Sequence, residues 1–307
     1  MNPDAIPYFL SLDDALTCLF GNNIKILRSD RIAGGDINEA YRLALSDGTN
    51  IFMKANRKEN DSFFAAEVAG LTAIAKTGTI GSPHILCRGT DEGRNGCSFL
   101  LLEYVDRKGR VADYWETFAY ELAAMHKAET AEFVTGGVYG FASDNYIGSG
   151  CQENAAHESW VAFFRDCRLV PQFRRAAGYF DAVCLKKIDR LLETLDCILV
   201  EPDYPSLLHG DLWSGNVIAG NDGKAWLIDP AVYVGHAEAD LAMTELFGGF
   251  PRIFYDAYNE AVPIQPDYSR RRDLYNLYHL LNHLNLFGQT YLPSVKRIIE
   301  SVQAAIS

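Results

Sequence analysis

The sequence predicts an α+β fold with a small sheet-rich N-terminal lobe and a larger, mainly helical C-terminal lobe. Runs of strand-forming residues dominate the first hundred positions, whereas the residues after Asp106 show the apolar spacing of amphipathic helices. A short strand-rich patch over 207–228 interrupts the helical region. We therefore expect two units, 1–105 and 106–307, which meet at a connector near 103–107 and leave a cleft for a ligand.

The N-terminal unit is predicted to be an antiparallel sheet with one long helix. Its strand-like runs are rich in Ile, Leu, Phe and Tyr and are separated by turn signals, the strongest being Asp47-Gly48. These runs cover 24–33, 38–45, 50–55, 83–90 and 97–105. Across roughly 61–76 the apolar residues recur at three- or four-residue steps, which predicts a helix.

The C-terminal unit is predicted to be a set of helices. The first one presents a single apolar face, formed by Trp115, Phe118, Ala119, Leu122 and Met125. The remaining helical stretches lie near 153–167, 179–199, 237–247, 252–261, 268–287 and 291–306.

Charge and composition limit the partners of the chain. It has 307 residues, with 28 Lys and Arg against 40 Asp and Glu, and a net charge of −12. Such a surface repels phosphate backbones, which argues against nucleic acid or an anionic membrane as a partner. We find neither a signal-peptide pattern nor an apolar run of the roughly 18–20 residues that span a bilayer. Seven dispersed cysteines without a CxxC pair favour reduced thiols, so we expect a cytoplasmic protein.

Residues 209–216, HGDLWSGN, have the spacing H-x-D-x-x-x-x-N of a catalytic loop for phosphoryl transfer. In such a loop a carboxylate, here Asp211, accepts the proton of the attacking hydroxyl, and an amide oxygen, here on Asn216, binds metal. Asp229 ends the next strand-like run and would supply a second magnesium ligand. The alternative is a polar turn at the end of a strand, and the presence of Asp229 favours the catalytic interpretation.

A site for nucleotide phosphates is predicted upstream. Gly34 and Gly35 precede a strand, and a glycine-rich turn lets backbone amides approach phosphate oxygens. Lys54 on a later strand would contact the α- and β-phosphates, and Glu67 on the following helix would pair with it. Either residue could alone be a solvated surface group, but their order relative to the catalytic loop favours binding of ATP and Mg²⁺.

Three other patterns are not assigned a catalytic role. Residues 220–225, GNDGKA, lack the four-residue gap and the Ser/Thr of a Walker A loop, and we interpret them as a hairpin turn. His279 and His283 lie four apart on a predicted helix, but no third metal ligand and no HExxH sequence accompanies them. His126 ends an amphipathic helix and is expected to be packed and hydrogen-bonded.

These motifs resemble those of the fructosamine kinase family, a branch of the protein-kinase-like superfamily beside aminoglycoside phosphotransferases and choline kinases. The resemblance rests on HGDLWSGN at 209–216, IDPAVY at 228–233 and GHAEADLAM at 235–243. Trp213 makes the loop specific, because the related families usually share only its H-x-D-x-x-x-x-N skeleton. Smaller matches extend over nearly the whole chain: Gly34-Gly35, Ile37, Asn38, residues 145–148, Trp160, Phe163, Arg168, Leu169 and Gln172.

The resemblance implies a bilobal protein-kinase-like fold that uses ATP and magnesium to phosphorylate a sugar hydroxyl on a ketosamine, an amine-linked ketose. The family's proposed role is repair, because the phosphorylated ketosamine can release the free amine. It implies that 1–105 is a nucleotide-binding lobe and 106–307 a catalytic and substrate lobe, with the residue roles given above. Backbone atoms of Glu103, Tyr104 and Val105 would hold the adenine.

The substrate is expected to be a small ketosamine, a glycated amine or a glycated protein side chain. The candidates for lining its pocket are Trp213, Asn145, Tyr233 and His236. Trp213 could equally be a core anchor beneath the loop. The oligomeric state is not predicted.

Two departures from related sequences matter. Many members of the family carry a cysteine after the glycine pair, whereas this chain has Asp36, so we expect no redox response through that turn. Asp229 is followed by Pro230 and Ala231, not by the Phe-Gly of protein kinases, and no Ala-Pro-Glu segment follows. A phosphorylation-gated activation loop is therefore not expected.

Two other functions compete with a ketosamine kinase. The first is an aminoglycoside kinase or another small-molecule hydroxyl kinase, which would share the same skeleton. The second is a nucleotide-binding pseudokinase with a regulatory role. The joint presence of Lys54, Asp211, Asn216 and Asp229 argues against the second, because a pseudokinase usually lacks at least one such group.

Overall fold

A computed structural model describes residues 6–32, 37–93, 96–106 and 108–306. Its N-terminal region is a six-stranded sheet in the order β1-β5-β6-β4-β3-β2. The strands are β1 (Tyr8–Phe9), β2 (Ile26–Ile32), β3 (Glu39–Leu45), β4 (Asn50–Arg57), β5 (Ile85–Asp91) and β6 (Cys97–Glu103). Helices α1 (Leu12–Phe20) and α2 (Asp61–Thr77) pack against this sheet.

The sheet is antiparallel except at one edge. The two-residue strand β1 runs parallel to β5, with Tyr8 opposite Arg88, and this corrects the prediction of a purely antiparallel sheet. Helix α1 was also not predicted. It begins after Ser11, whose hydroxyl accepts a hydrogen bond from the Asp14 backbone amide at 3.3 Å. The predicted strands and the helix over 61–76 are confirmed, with ends shifted by one to a few residues.

Alternation along β4 determines which core each of its residues enters, because neighbouring side chains of a strand point to opposite faces. Ile51 belongs to the core beneath α1, whereas Phe52 packs against the core beneath α2. Lys54 is two residues after Phe52 and therefore also faces α2. This parity brings Lys54 to Glu67, which lies on α2.

The C-terminal region is built around one large hydrophobic core. Within it, α3 packs against α8 and α7 packs against α9. The helices are α3 (Tyr114–His126), α4 (Trp160–Phe163), α5 (Val170–Arg175), α6 (Ala182–Glu193), α7 (Glu238–Leu246), α8 (Arg252–Ala261), α9 (Tyr268–Phe287) and α10 (Leu292–Ile306). A π-helical segment over Phe164–Leu169 joins α4 to α5.

Three short antiparallel ladders lie among these helices, and they position the candidate site. They pair β7 (Asn145–Ile147) with β8 (Gly150–Gln152), β9 (Ser206–Leu208) with β12 (Tyr233–Gly235), and β10 (Val217–Ala219) with β11 (Ala225–Leu227). The strand-rich patch predicted over 207–228 is confirmed, and β12 extends it.

Two predicted helices are shorter than expected. The helix predicted over 153–167 begins only at Trp160, because the backbone of His157 pairs with Tyr139 in an extended bridge. Ser159 then caps the helix by accepting a hydrogen bond from the Ala162 amide at 3.3 Å. The helix predicted over 179–199 is reduced to α6, because Asp181 caps its start through the Cys184 amide at 2.8 Å. Among the described residues, no helix is long and apolar enough to cross a membrane.

Candidate active site

The loop 209–216 connects β9 to β10, and its shape depends on Gly210. This residue has a φ of 81°, in the region that favours glycine. A Cβ at this position would lie 2.0 Å from the carbonyl oxygen of Ala231, closer than real contacts allow. The Ala231 amide in turn donates to the carbonyl of His209 at 2.9 Å. The glycine thus lets the loop lie directly against the segment that follows Asp229.

Asp211 and Asn216 meet across this loop. The Nδ2 of Asn216 donates to the backbone oxygen of Asp211 at 2.9 Å and to its Oδ2 at 3.0 Å. Burial raises the pKa of Asp211 to about 7, and the hydrogen bond from Asn216 only partly opposes that rise. A carboxylate with this pKa can accept a proton near neutral pH, which is what a general base must do.

Asp240 on α7 holds the backbone of the loop from within the core. Its two oxygens accept hydrogen bonds from the amides of His209, at 2.7 Å, and Gly210, at 2.9 Å. Oδ2 also lies 3.3 Å from Nε2 of His126, whose Nδ1 is 2.7 Å from the hydroxyl of Tyr258. Burial raises the pKa of Asp240, but these donors outweigh it, and the net shift is downward. Asp240 therefore stays ionised and fixes the loop that carries Asp211.

The sequence analysis did not assign this role to Asp240. The residue appeared there only within the motif at 235–243. A usable signal exists in the sequence, because a lone aspartate between apolar residues of a helix needs several donors once it is buried. The identity of those donors depends on contacts between distant segments of the chain.

His209 helps to align the two segments of the site. Its Nε2 lies 2.9 Å from the carbonyl of Ile228, and its Nδ1 accepts from the amide of Asp211 at 3.2 Å. Burial lowers the pKa of His209, so the ring is neutral with its proton on Nε2. The histidine thus connects the catalytic loop to the residue just before Asp229.

Lys54 lies between two carboxylates at the junction of the sheet and the helical region. Its Nζ is 2.6 Å from Oε1 of Glu67 and also forms an ion pair with Asp229. The lysine is only 7% exposed, and burial opposes its charge, but the two carboxylates reverse this effect and raise its pKa. The three groups together carry one net negative charge beside the exposed face of Asp229.

Asp229 has a backbone conformation that favours glycine. Its φ is 55°, one of two positive values among the non-glycine residues that the structure describes. This conformation costs on the order of 1 kcal/mol or more and is retained mainly where the surroundings impose it. The Ile228 amide donates to the carbonyl of Asn216 at 3.1 Å, so the two predicted metal ligands lie on adjacent segments.

The predicted nucleotide contacts lie only partly within the described residues. Gly34, Gly35 and Asp36 lie outside them. Glu103 ends β6, and Tyr104 and Val105 follow it as half-buried residues on the way to the helical region. At the next residue the connector is attached to the C-terminal lobe, because the Asp106 amide donates to Oδ1 of Asn221 at 2.9 Å.

Trp213 is a surface residue of the catalytic loop. Its side chain is 37% exposed and packs over Gly215, so it is not a core anchor beneath the loop. Its ring lies 6.3 Å from that of Phe247, which stacks on His283 at 4.9 Å. Phe287, beside His283 at 5.4 Å, extends this set of rings, which we call the aromatic wall.

The other three predicted substrate contacts, Asn145, Tyr233 and His236, are buried, and their role toward substrate stays a prediction. Asn145 donates to the carbonyl of Val232 at 2.7 Å, and Tyr233 packs beneath the guanidinium of Arg168 at 3.9 Å. His236 lies within the core, and its ring faces that of Trp160 at 6.1 Å. Asn145 and Tyr233 are held by these partners behind the catalytic loop, whereas Nε2 of His236 has no hydrogen-bond partner among the described residues.

A buried amide network holds the segment after Asp229 and was not predicted. Gln152 donates to the carbonyl of Ala231 at 2.9 Å and to Oδ1 of Asn145 at 2.7 Å. Its own oxygen accepts from the hydroxyl of Tyr278 at 2.7 Å. Asn145 is therefore part of the hydrogen-bonded framework behind the site.

Comparison with known proteins identifies the family. A family model described as fructosamine kinase matches residues 10–305. This chain belongs to the fructosamine kinase family. It is 40% identical over 287 residues to a probable ketoamine kinase of Synechocystis, covering 91% of this chain and 92% of the relative. A chloroplastic protein-ribulosamine 3-kinase of Arabidopsis thaliana is 37% identical over 285 residues, covering 91% and 84%.

Solved structures share the fold. A crystal structure of a protein assigned as a fructosamine-3-kinase of Haemophilus somnus superposes with a TM-score of 0.83 at 30% identity, covering 95% of this chain and 96% of that one. A complex of aminoglycoside phosphotransferase APH(4)-Ia with ADP and hygromycin B superposes with a TM-score of 0.63 at 14% identity, covering 96% and 97%. The predicted α+β, bilobal kinase-like fold is therefore confirmed.

Proposed function

We propose that this protein transfers a phosphoryl group from ATP to a sugar hydroxyl of a ketosamine. The main support is the meeting of Asp211 and Asn216 with the ion-paired group of Lys54, Glu67 and Asp229 where the sheet joins the helical region. Relatives named ketoamine kinase and protein-ribulosamine 3-kinase cover nearly the same length of chain. The family's proposed role in repair of glycated amines extends to this protein under the same proposal.

The nucleotide lies on the side of the sheet in this proposal, between the lobes 1–105 and 106–307. Lys54 contacts its phosphates, and Glu67 holds the ammonium in place from α2 at 2.6 Å. In the same proposal the backbone of Glu103, Tyr104 and Val105 holds the adenine, and the sequence prediction that Gly34 and Gly35 contact the phosphates falls outside the described residues. A protein of the same fold, the aminoglycoside phosphotransferase APH(4)-Ia, binds ADP in its ternary complex.

The side chains at the cleft fit a magnesium ion. Asp229 is 47% exposed, and its carboxylate contributes to the net negative charge around Lys54. Asn216 directs Nδ2 to Asp211, which leaves its amide oxygen free of hydrogen bonds to the described residues. One carboxylate and one amide oxygen suit magnesium, which completes its shell with phosphates and water. Bound there, the ion would neutralise charge on the phosphates.

Asp211 then acts on the hydroxyl of the substrate. Its carboxylate accepts the hydroxyl proton as the oxygen attacks, and Asn216 holds the carboxylate in position at 3.0 Å. The bonds from His209 and Gly210 to Asp240 keep the loop backbone still while the proton moves. Pre-organisation of this kind saves the cost of aligning the base in each turnover.

The sugar and its amine substituent lie outward from Asp211, along the aromatic wall. Trp213, Phe247 and Phe287 offer ring faces and edges, and burial lowers the pKa of His283, so that ring is neutral too. An uncharged aromatic surface suits the carbon face of a sugar and accepts a protonated amine through cation–π contact. It does not select one amine sharply, which agrees with a substrate class that includes glycated protein side chains.

The competing functions have less support. Aminoglycoside phosphotransferases share the fold at 14% identity, which carries no argument about substrate. A pseudokinase would not need Lys54, Asp211, Asn216 and Asp229 assembled in one place. We further propose that the protein acts in the cytoplasm, since the seven cysteines, all within the described residues, form no disulfide bond.

An ATP-consumption screen tests the proposal. Fructosamines, ribulosamines and erythrulosamines on small amines and on a glycated protein form one panel, and aminoglycosides form the other. We expect ADP formation with ketosamines only, and Asp211→Asn is the inactive control. Turnover of the aminoglycosides alone would replace this function by the second one, and ATP binding without turnover of any substrate would support the pseudokinase.

A further inference from the structure

A small cavity lies in the helical region, away from the residues assigned to catalysis. Its volume is about 60 Å³, and its wall comes from residues 202–206, the start of α7 and the loop after α8. Lys54, Asp211, Asn216 and Asp229 are not among the lining residues. A site of this size has room for about four waters, or for an organic molecule of about four heavy atoms.

Two residues that line the cavity each carry a buried polar atom with no hydrogen-bond partner among the described residues. The atoms are Oγ of Ser206, in a residue 1% exposed, and Nε2 of His236, in a residue 4% exposed. Buried polar atoms of native proteins are almost always paired, so two orphans on one cavity indicate a ligand or solvent that pairs with them. The proposed kinase reaction uses neither side chain.

The hydrogen bonds around His236 define what its free nitrogen offers. Nδ1 accepts from the Glu238 amide at 3.2 Å, which places the proton of the neutral ring on Nε2. Burial, with Arg271 and His126 nearby, lowers the pKa of His236 to about 3. Nε2 lies 3.9 Å from Oε2 of Glu238, too far for a hydrogen bond, and Arg271 already binds both Glu238 oxygens at 2.7 Å. His236, a lining residue of the cavity, thus carries an unused N–H donor.

The rest of the wall sets the charge and polarity of a ligand. Leu241, Val262 and Ile264 make much of it apolar. Glu238 and Asp203 also line it, and both would repel an anion, while Glu238 is already neutralised by Arg271 and so offers little to a cation. We propose that this cavity binds a small uncharged molecule whose carbonyl or hydroxyl oxygen accepts from His236 Nε2–H and which also hydrogen-bonds to the hydroxyl of Ser206.

The cavity is connected to the catalytic loop through its own wall. Tyr258 lines it, and the Tyr258 hydroxyl lies 2.7 Å from Nδ1 of His126. His126 in turn contacts Asp240, which holds the amides of His209 and Gly210. A ligand that displaces Tyr258 therefore acts on the group that fixes the loop. This gives the cavity the position of a regulatory site as well as a binding site.

Acetamide and acetate test the proposal, because they have the same shape and differ in charge. Protein labelled with ¹⁵N-histidine is titrated with each, and the seven histidines allow the His236 signal to be assigned with His236→Gln. We expect a saturable shift of the His236 Nε2 signal at millimolar acetamide, and binding of acetate at least tenfold weaker. We also expect acetamide to shift the backbone amide signal of His209, which carries the same label and donates to Asp240.

Ser206→Ala should weaken acetamide binding about 2- to 10-fold, which corresponds to the loss of one net hydrogen bond. The matched control is Ser29→Ala at an exposed serine of β2, which should leave the affinity unchanged. Unchanged signals of the other histidines verify the fold of each variant. A His236 signal that does not respond to acetamide would mean that the cavity holds ordered water only. That result, equal binding of acetate, or an unaffected Ser206→Ala variant would each overturn the proposal.

Discussion

The catalytic loop has an inner face held by buried hydrogen bonds and an outer face formed by exposed aromatic contacts. On the inner face, Asp240 binds the amides of His209 and Gly210 at 2.7 and 2.9 Å inside the core. On the outer face, Trp213 is 37% exposed, packs over Gly215 and lies edge-to-face with the ring of Phe247 at 6.3 Å. Charge-assisted hydrogen bonds are directional, whereas ring contacts tolerate small shifts. The inner face therefore fixes the chemistry, and the outer face can accommodate different substrates.

The largest effect is expected where the two faces meet, at Asp211. Asp211→Asn removes the proton acceptor and should lower kcat by a factor on the order of 10² to 10⁴, with ATP affinity retained. Steady-state kinetics and nucleotide titration measure the two quantities separately. Near wild-type turnover in this variant would remove Asp211 from the role of base.

A large effect is also expected on the inner face. In Asp240→Asn the amide presents N–H groups to one of the two backbone donors, so one buried donor loses its acceptor. Stability should fall by about 1–3 kcal/mol, and kcat should fall more than KM changes. Urea unfolding and kinetics measure both, and Asp256→Asn on the exposed side of α8 is the matched control. An unchanged kcat would show that the loop does not need this carboxylate.

On the outer face, Trp213→Ala should act on binding and not on chemistry. Loss of the ring contact is worth about 1 kcal/mol, which would raise KM for a ketosamine several-fold to tenfold with little change in kcat. Val183→Ala, at an apolar residue exposed elsewhere on the surface, is the control. A drop in kcat as large as that of Asp211→Asn would contradict the division between the two faces.

Burial of a neutral histidine behind the inner face predicts that stability depends on pH. Burial lowers the pKa of His279, near Asp240, to about 3, below the ordinary value of 6.5. As the pH drops below 6.5, His279 binds a proton in the unfolded chain but not in the folded protein, so stability falls. Between pH 6.5 and 5.5 this histidine should remove about 1 kcal/mol. Urea unfolding of the wild type and of His279→Gln at both pH values measures this loss of unfolding free energy. If the two proteins lost the same amount between pH 6.5 and 5.5, burial of a neutral His279 ring would be contradicted.

The smallest effect is expected at the glycine-rich turn, where Asp36 stands in place of a thiol. Mild oxidation should not change activity by forming a disulfide at position 36, because the carboxylate of Asp36 cannot form one. Activity after diamide treatment, with non-reducing electrophoresis, measures this. Loss of activity that is restored by a thiol and accompanied by a disulfide-linked dimer would contradict the expectation.

The sequence predicted the groups that we propose for phosphoryl transfer because the chemistry restricts their types and spacing. Asp211, Asn216 and Asp229 follow from such a pattern, and strand parity explains why Lys54 reaches Glu67. The reasoning did not find Asp240, because its donors come from a loop about thirty residues away. Local patterns carry no information on such distant contacts.

The same limit applies to burial. Asn145, Tyr233 and His236 were predicted as substrate contacts from their motifs, and the motifs gave no sign that the three side chains are buried. Their burial depends on Arg168, Gln152 and Trp160, which come from other segments. The parallel edge strand β1 was missed for a similar reason, since two residues are too few to show a period.

The ion pair between Lys54 and Asp229 also has a thermodynamic consequence. Lys54 comes from the sheet and Asp229 from the helical region, so the pair crosses the cleft between the lobes. A cation that took Oδ1 of Asp229 as a ligand would compete with the Lys54 ammonium for that oxygen. In that case nucleotide binding and separation of this ion pair would be linked, and the measured nucleotide affinity would include the loss of the ion pair.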